Sequence, residues 1–240
     1  MQKITLEKIK SYFYELQDRL LAFIWKKSLK FSEIDGHILM YHHVTEQPID
    51  EIPSCVRTVN EFIEGLEEER KAGYSIIPIG DFLESNNLER HSKFCVVTFD
   101  DVPSNFYYNA YPYLKKNNIP FTLFITTNYL ENKDYLSQDQ IKQLDTDPLC
   151  TIGAHTLSHP MLRRCENPFA ELLESKKKLE QILGHEIKYM AYPYGKHSSI
   201  SNRIRRLASK AGYRYAFSTI DAPITDITLR YKYFLPRIIL

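Results

Sequence analysis

Two adjacent carboxylates, Asp100 and Asp101, close the apolar run Val96-Val97-Thr98-Phe99. Side chains alternate along a strand, so neighbours diverge unless the strand has just ended. Such a pair can divide its labour, one carboxylate binding a cation while the other moves a proton. Further along, His155-Thr156-Leu157-Ser158-His159 sets two imidazoles four residues apart, a spacing at which both can reach one ion. With one carboxylate they make a two-His, one-carboxylate set with open positions, suited to Zn²⁺, Fe²⁺, Co²⁺ or Ni²⁺. Tyr192-Pro193-Tyr194-Gly195 adds a tight turn that can present the Tyr194 N–H to an oxyanion. Each feature also has a plainer reading. Asp101 can cap a helix, a histidine pair can arise by chance among eight histidines, and Y-P-Y-G can be only a turn. Their convergence weighs more than any one of them.

The elements that must position these residues alternate between short apolar runs and helical stretches. Strands are predicted at His37–Val44, Tyr74–Ile79, Phe94–Asp100, Phe121–Thr126, Cys150–His155, Lys188–Tyr194, Tyr215–Thr219 and Tyr233–Ile238. Capping boxes open at Thr58-Val59-Asn60-Glu61 and Ser137-Gln138-Asp139-Gln140, Asn167-Pro168 starts another helix, and Gly73, Gly184 and Gly212 stop three. This alternation predicts an α/β fold: a distorted, nearly closed (β/α) barrel of about seven parallel strands over residues 34–240. In such folds chemistry gathers at the C-terminal ends of strands. Those ends carry Tyr41-His42-His43, Asp100-Asp101, His155 with His159, and Tyr192-Pro193-Tyr194-Gly195.

Residues 1–33 read as a separate amphipathic helix. Leu6, Ile9, Phe13, Leu16, Leu20, Phe23 and Ile24 recur at three- and four-residue steps among lysines. Its apolar stripe is expected to pack on the chain's own body or on a second copy, or to lie on an anionic membrane surface. The run Leu20–Trp25 is too short for a signal or a span. Four cysteines without a C-x-x-C pair suit a reducing, cytoplasmic setting, peripheral at the inner membrane face if the helix binds lipid. A formal charge of +1 gives no reason to expect a nucleic-acid partner, whose phosphates call for a basic face.

In this order, Thr98-Phe99-Asp100-Asp101, His155-Thr156-Leu157-Ser158-His159 and Tyr192-Pro193-Tyr194-Gly195 resemble the first three motifs of the NodB-type polysaccharide deacetylases, carbohydrate esterase family four. The resemblance runs from about residue 92 to 220 and more loosely over Ile38–Ile79. It implies metal-dependent removal of an N-acyl group, usually N-acetyl, from a sugar in surface polysaccharide, capsule or lipopolysaccharide precursor metabolism. It implies Asp101, His155 and His159 as ligands of one divalent ion, Zn²⁺ first with Co²⁺, Ni²⁺, Fe²⁺ or Mn²⁺ as alternatives. Asp100 is then the general base and the Tyr194 N–H an oxyanion donor.

Most of the family takes its acid histidine from a C-terminal motif, but no histidine follows His197 here. The segment Tyr41-His42-His43-Val44 is similar instead to a subgroup that includes poly-N-acetylglucosamine deacetylases. It makes His42 the candidate acid and His43 the reserve. Two departures stand out: Val102-Pro103 replaces the usual Gly after the aspartates, and Ala191 replaces an Arg that orients the base. Arg237 either supplies that tether or forms a surface ion pair. Tyr41, Tyr192, Tyr194 and Pro193, with Phe106, Tyr107 and Tyr108 near the same loops, are the expected substrate-binding platform for an N-acylated sugar. A non-catalytic carbohydrate-binding subunit, or a deacylase of a non-sugar amide, are the competing readings.

Overall fold

A computed structural model describes residues 6–49, 55–84 and 93–239. Helix α1 (Leu6–Ser28) precedes the strands β1 (Asp35–Tyr41), β2 (His43–Thr45), β3 (Val56–Thr58), β4 (Ser75–Ile76) and β5 (Lys93–Asp100). Helices α2 (Val59–Lys71) and α3 (Ile79–Glu84) lie between these strands, and α4 (Tyr111–Lys116) follows β5. The second half alternates β6 (Phe121–Ile125), α5 (Gln138–Asp145), β7 (Cys150–Ala154), α6 (Pro168–Leu183), β8 (Tyr189–Ala191), α7 (Asn202–Lys210), β9 (Tyr215–Phe217) and β10 (Ile238–Ile239).

Seven strands pair in parallel in the order β10-β1-β5-β6-β7-β8-β9, and β4 adds to the lower part of β5. The final segment closes the curl. Leu235 bonds to Ala216 and Ser218 beside β9, and three residues later Ile238 pairs with Leu39 of β1. This is the distorted parallel barrel the alternation predicts. The expected strand Tyr74–Ile79 shortens because Ile79 already opens α3, and the expected Tyr233–Ile238 becomes a bridge at Leu235 followed by β10.

The strand period of two sorts residues between two cores. Phe94, Val96, Phe124, Ala191, Phe217 and Leu235 fill the barrel, while Cys95, Val97, Phe99, Met190 and Tyr192 face the helices. Phe124 fits inside because Gly153 stands opposite it; a Cβ there would lie 2.7 Å from the ring. Both capping boxes form, at Thr58/Glu61 and Ser137/Gln140. Gly184 ends α6 in the left-handed conformation that glycine adopts at little cost.

Helix α1 departs from one expectation. Its docking side is Tyr14, Asp18, Leu21, Ala22, Trp25 and Ser28, whereas the apolar stripe Leu6–Ile9–Phe13–Leu16–Leu20–Phe23 points away from the body. The stripe therefore does not pack on the chain's own barrel. Among the described residues no helix is long and apolar enough to cross a membrane.

Candidate active site

The parity that fills the barrel also aims Asp100 into it. In β5, Phe94 and Val96 point inward, so Thr98 and Asp100 complete the inner column at the strand's C-terminal end. Asp100 is buried, and both its oxygens accept hydrogen bonds from Arg237, Oδ1 from Nη1 and Oδ2 from Nη2, each at 2.6 Å. Arg237 is itself fully buried and also donates from Nε to the Ser218 carbonyl at 2.9 Å. Burial alone raises the Asp100 carboxyl pKa, but the Arg237 guanidinium, helped by His155, outweighs it and holds the group well below the carboxylate range. Of the two readings of Arg237, the tether to Asp100 is the contact that forms.

Adjacent side chains reach the same place because the backbone reverses at once. Asp101 (φ 59°) and Val102 (φ 51°) are both left-handed, and the Val102 N–H bonds back to the Asp100 carbonyl. A β-branched residue there is strained. Glycine, usual in the family, meets no such penalty, and burial of the Val102 side chain at 1% exposure helps hold the turn. The turn carries Asp101 over the end of β6, where Thr126 Oγ1 donates to Asp101 Oδ1 at 2.8 Å.

His155 follows β7 and is buried, its Nδ1 2.9 Å from the Ala191 carbonyl. That contact makes Nδ1 the N–H and leaves Nε2 as a lone pair facing the carboxylates, 3.9 Å from Asp100 Oδ2. Burial lowers the His155 pKa, opposed by Asp100 and Asp101. His159 reaches back through left-handed residues at Thr156 (φ 69°) and His159 itself (φ 58°), with Nε2 3.7 Å from Asp101 Oδ2. The intervening Leu157 and Ser158 N–H groups are held by Glu171 of α6. The four-residue histidine spacing therefore works in a braced loop. Ligand atoms of Asp101, His155 and His159 lie within 4.8 Å of one another. One carboxylate oxygen and two imidazole nitrogens, one with its tautomer fixed from behind, fit a divalent transition metal.

The expected strand His37–Val44 breaks at His42, between β1 and β2. His42 continues the inward set of Ile38 and feels Asp100, Asp101 and His155. Burial lowers its pKa, against the pull of the two aspartates. His43 has its Nδ1 2.9 Å from the Asn105 side-chain amide. Partial burial and the neighbouring His42 lower its pKa too. Only His42 shares the metal-site cluster with Asp100 and His155.

Tyr194 is half-exposed, left-handed (φ 61°), and its ring centroid is 5.0 Å from that of His159. Its carbonyl accepts from Thr219 Oγ1, and the Gly195 carbonyl accepts from the Thr219 N–H. Gly195 (φ 60°) is required, because a Cβ there would lie 2.4 Å from the Thr219 nitrogen.

The expected substrate platform is corrected. Tyr41 is on the outward side of β1, 3% exposed and stacked on Phe99. Tyr192 is likewise outward and fully buried, its hydroxyl donating to the Tyr233 carbonyl. Pro193 is buried, its carbonyl accepting from Ser199 Oγ. None of the three presents a ring face to a ligand. Phe106 belongs to the core, and the Tyr107 hydroxyl bonds Gln143 of α5. The rings gathered around the cluster are Tyr194, Tyr129 (6.4 Å from His159) and Tyr135 (4.5 Å from Tyr129). Burial and Asp101 raise the phenol pKa of both Tyr129 and Tyr135. Tyr129 lies just past the C-terminal end of β6, so the strand-end rule could have found it; Tyr135 carries no such signal.

This fold and this constellation place the chain among α/β-barrel proteins with a candidate metal site at the strand ends. The family description "Polysaccharide deacetylase" matches residues 87–216, and the chain belongs to that family. It is 26% identical to a poly-beta-1,6-N-acetyl-D-glucosamine N-deacetylase of Staphylococcus aureus over 89% of this chain and 81% of the other. Its fold is similar to a deacetylase of Streptococcus pyogenes, PplD, in complex with acetate (TM-score 0.74, 24% identity, 85% of this chain and 92% of that one). It is similar also to BC0361, a polysaccharide deacetylase of Bacillus cereus (TM-score 0.72, 24% identity, 85% of this chain). This chain spans 64% of the length of the Bacillus cereus structure.

Proposed function

We propose that the chain is a metal-dependent hydrolase that removes an N-acyl group, N-acetyl first, from a sugar of a surface glycan or its precursor. The observation that carries this reading is the Asp101–His155–His159 ligand set within 4.8 Å, beside an Asp100 held from behind by Arg237. Asp101, His155 and His159 would hold the ion, Zn²⁺ first, which supplies Lewis-acid polarisation of water and of the acyl carbonyl.

The remaining steps fall to the chain's own groups. Asp100 is ionised at neutral pH, and Arg237 fixes its orientation, so it can accept a proton from the attacking water. His42, which feels the same two carboxylates, can in its protonated form give a proton to the departing amine, which cannot leave as an anion. The left-handed turn at Tyr194 can present its backbone N–H to the acyl oxygen as negative charge develops there. Tyr129, Tyr135 and Tyr194 offer ring faces and hydroxyls to a pyranose. The name of the Staphylococcus aureus relative makes β-1,6-linked N-acetylglucosamine oligomers the first substrate to try. Protein loaded with Zn²⁺, Co²⁺ or Ni²⁺ should release acetate and free amine from them. Metal bound with neither product from acetylated, formylated or nucleotide-linked sugars overturns the reading.

A further inference from the structure

Helix α1 docks through its aromatic and polar side. Trp25 is buried against Tyr231 and Phe234, with centroids 5.3 and 6.3 Å away. The Asp18 carboxylate accepts from the His197 N–H and lies 2.6 Å from His197 Nδ1, Lys26 pairs with Asp221, and Arg163 covers the Tyr14 ring. On the opposite side Leu6, Ile9, Phe13, Leu16, Leu20 and Phe23 are each 52–66% exposed, and Phe31, just past the helix, is 88% exposed. Six large side chains in one stripe far exceed the scattered apolar residues normal on a soluble surface.

The charges around the stripe say what covers it. Between Leu6 and Phe31 lie six Lys or Arg against three Asp or Glu. Of the acids, Asp18 turns inward to His197, Glu15 pairs with Arg19, and Glu7 lines a groove with Arg163 and Arg164. Of the bases, Arg19 is taken up by Glu15 and Lys26 by Asp221, and lysines that include Lys10, Lys27 and Lys30 still make the border of the apolar face basic. Lys27 continues the stripe itself, its Nζ 5.4 Å from the Phe23 ring centroid.

A second copy of the helix suits this pattern poorly. A parallel pair sets Lys27 against Lys27 in the seam, and an antiparallel pair brings the Lys8–Lys10 end against Lys26–Lys30. An anionic bilayer accommodates every feature: apolar side chains enter the acyl boundary, lysines meet phosphates, and the Lys27 stem can snorkel. We propose that α1 is an amphipathic anchor that lies in the plane of an anionic lipid bilayer through its Leu6–Phe23 stripe. Its contact at His197 is three residues from Tyr194, so the anchor holds the candidate active site near the lipid surface. The anchoring does not depend on the catalytic reading.

The test is flotation of the full chain with vesicles of phosphatidylcholine alone or mixed with phosphatidylglycerol. The chain should float with the mixed vesicles only, and added salt should release it. A Leu16→Asp/Leu20→Asp double variant should lose bound fraction roughly tenfold or more while keeping its circular dichroism and melting temperature, because both positions are exposed in the folded chain. Lys10→Glu/Lys27→Glu should lose the preference for the anionic vesicles. Absence of flotation, equal binding to neutral vesicles, or wild-type binding by the Leu16→Asp/Leu20→Asp variant each overturns the proposal. So does a lipid-free dimer in sedimentation that the same variant converts to monomer.

Discussion

Arg237 grips both oxygens of Asp100 at 2.6 Å across 137 residues of sequence, from the segment that closes the barrel between β9 and β1. The closing strand and the orientation of the candidate base are thus one structural event. In the wild type the depressed Asp100 pKa means that its contribution to stability is complete above the ordinary carboxylate value of about 3.9 and is lost as pH falls below it.

Arg237→Met reverses that sign. With the guanidinium gone, burial is the dominant influence and raises the Asp100 pKa above its unfolded value. An unpaired buried carboxylate should cost about 3–5 kcal/mol at neutral pH. The deficit should shrink as pH falls through the raised value, where the group enters the fold neutral. Denaturant melts between acid and neutral pH measure this, and an Arg237→Met/Asp100→Asn double variant should recover much of the neutral-pH loss. A deficit independent of pH would show that packing alone is at stake.

His42 and His43 separate by position rather than by type. His42→Ala should lower kcat by about 10²–10⁴-fold, the range of a lost general acid, with metal content unchanged. His43→Ala removes a ring that the Asn105 amide holds and that feels Asp101 but neither Asp100 nor His155, and should leave kcat within about tenfold of wild type. Because burial depresses the His42 pKa, the wild type should also lose stability as pH falls from about 6.5, where unfolded imidazoles charge and this one resists. His42→Ala should flatten that part of the stability profile. Equal losses of kcat in the two variants would remove the assignment.

Much of the barrel was legible because strand alternation is written in residue parity. The grouping of Asp101, His155 and His159 was legible as well, since the three residues sit in two short motifs. The same parity could have excluded Tyr41 and Tyr192: inward His42 and Ala191 put their neighbours on the helix side. Proximity in sequence to the motif outweighed that rule. Tyr135 was hidden because a long loop returns it, bridging Pro103, with no strand end to mark it. The outward stripe of α1 was visible in the sequence, but which side docks depended on Trp25 and Asp18 finding partners some 180–210 residues away, which no local pattern records.

Thr126 supplies the only side-chain hydroxyl bond to Asp101 among the described residues, at 2.8 Å to Oδ1. Thr126→Val keeps the shape and removes the donor, leaving the ligand carboxylate free to rotate. Affinity for Zn²⁺ should fall about 10–100-fold, as for other partners standing behind a metal ligand. Competition with a chromophoric chelator measures it. Activity at saturating metal should be much less affected, and an unchanged affinity would show that Asp101 is held by the Asp101–Val102 turn instead.

Gly195 isolates the contribution of the Tyr194 turn from that of the metal. An alanine there meets two obstacles: φ 60° costs a non-glycine residue about 1 kcal/mol, and the new methyl lies 2.4 Å from both the backbone nitrogen and Cγ2 of Thr219. Backbone cannot yield as a flexible side chain can, so the turn must shift, taking with it the Tyr194 N–H and the ring beside His159. Asp101, His155 and His159 belong to other loops, so metal content should persist. If the N–H stabilises the oxyanion, Gly195→Ala should lower kcat by about 10²–10³-fold. Thr219→Ser removes only Cγ2, so adding it should relieve that clash and leave those with the Thr219 nitrogen at 2.4 Å and Oγ1 at 2.7 Å. A Gly195→Ala/Thr219→Ser variant that regains full activity would place the strain in the side chain and count against a role for the backbone donor.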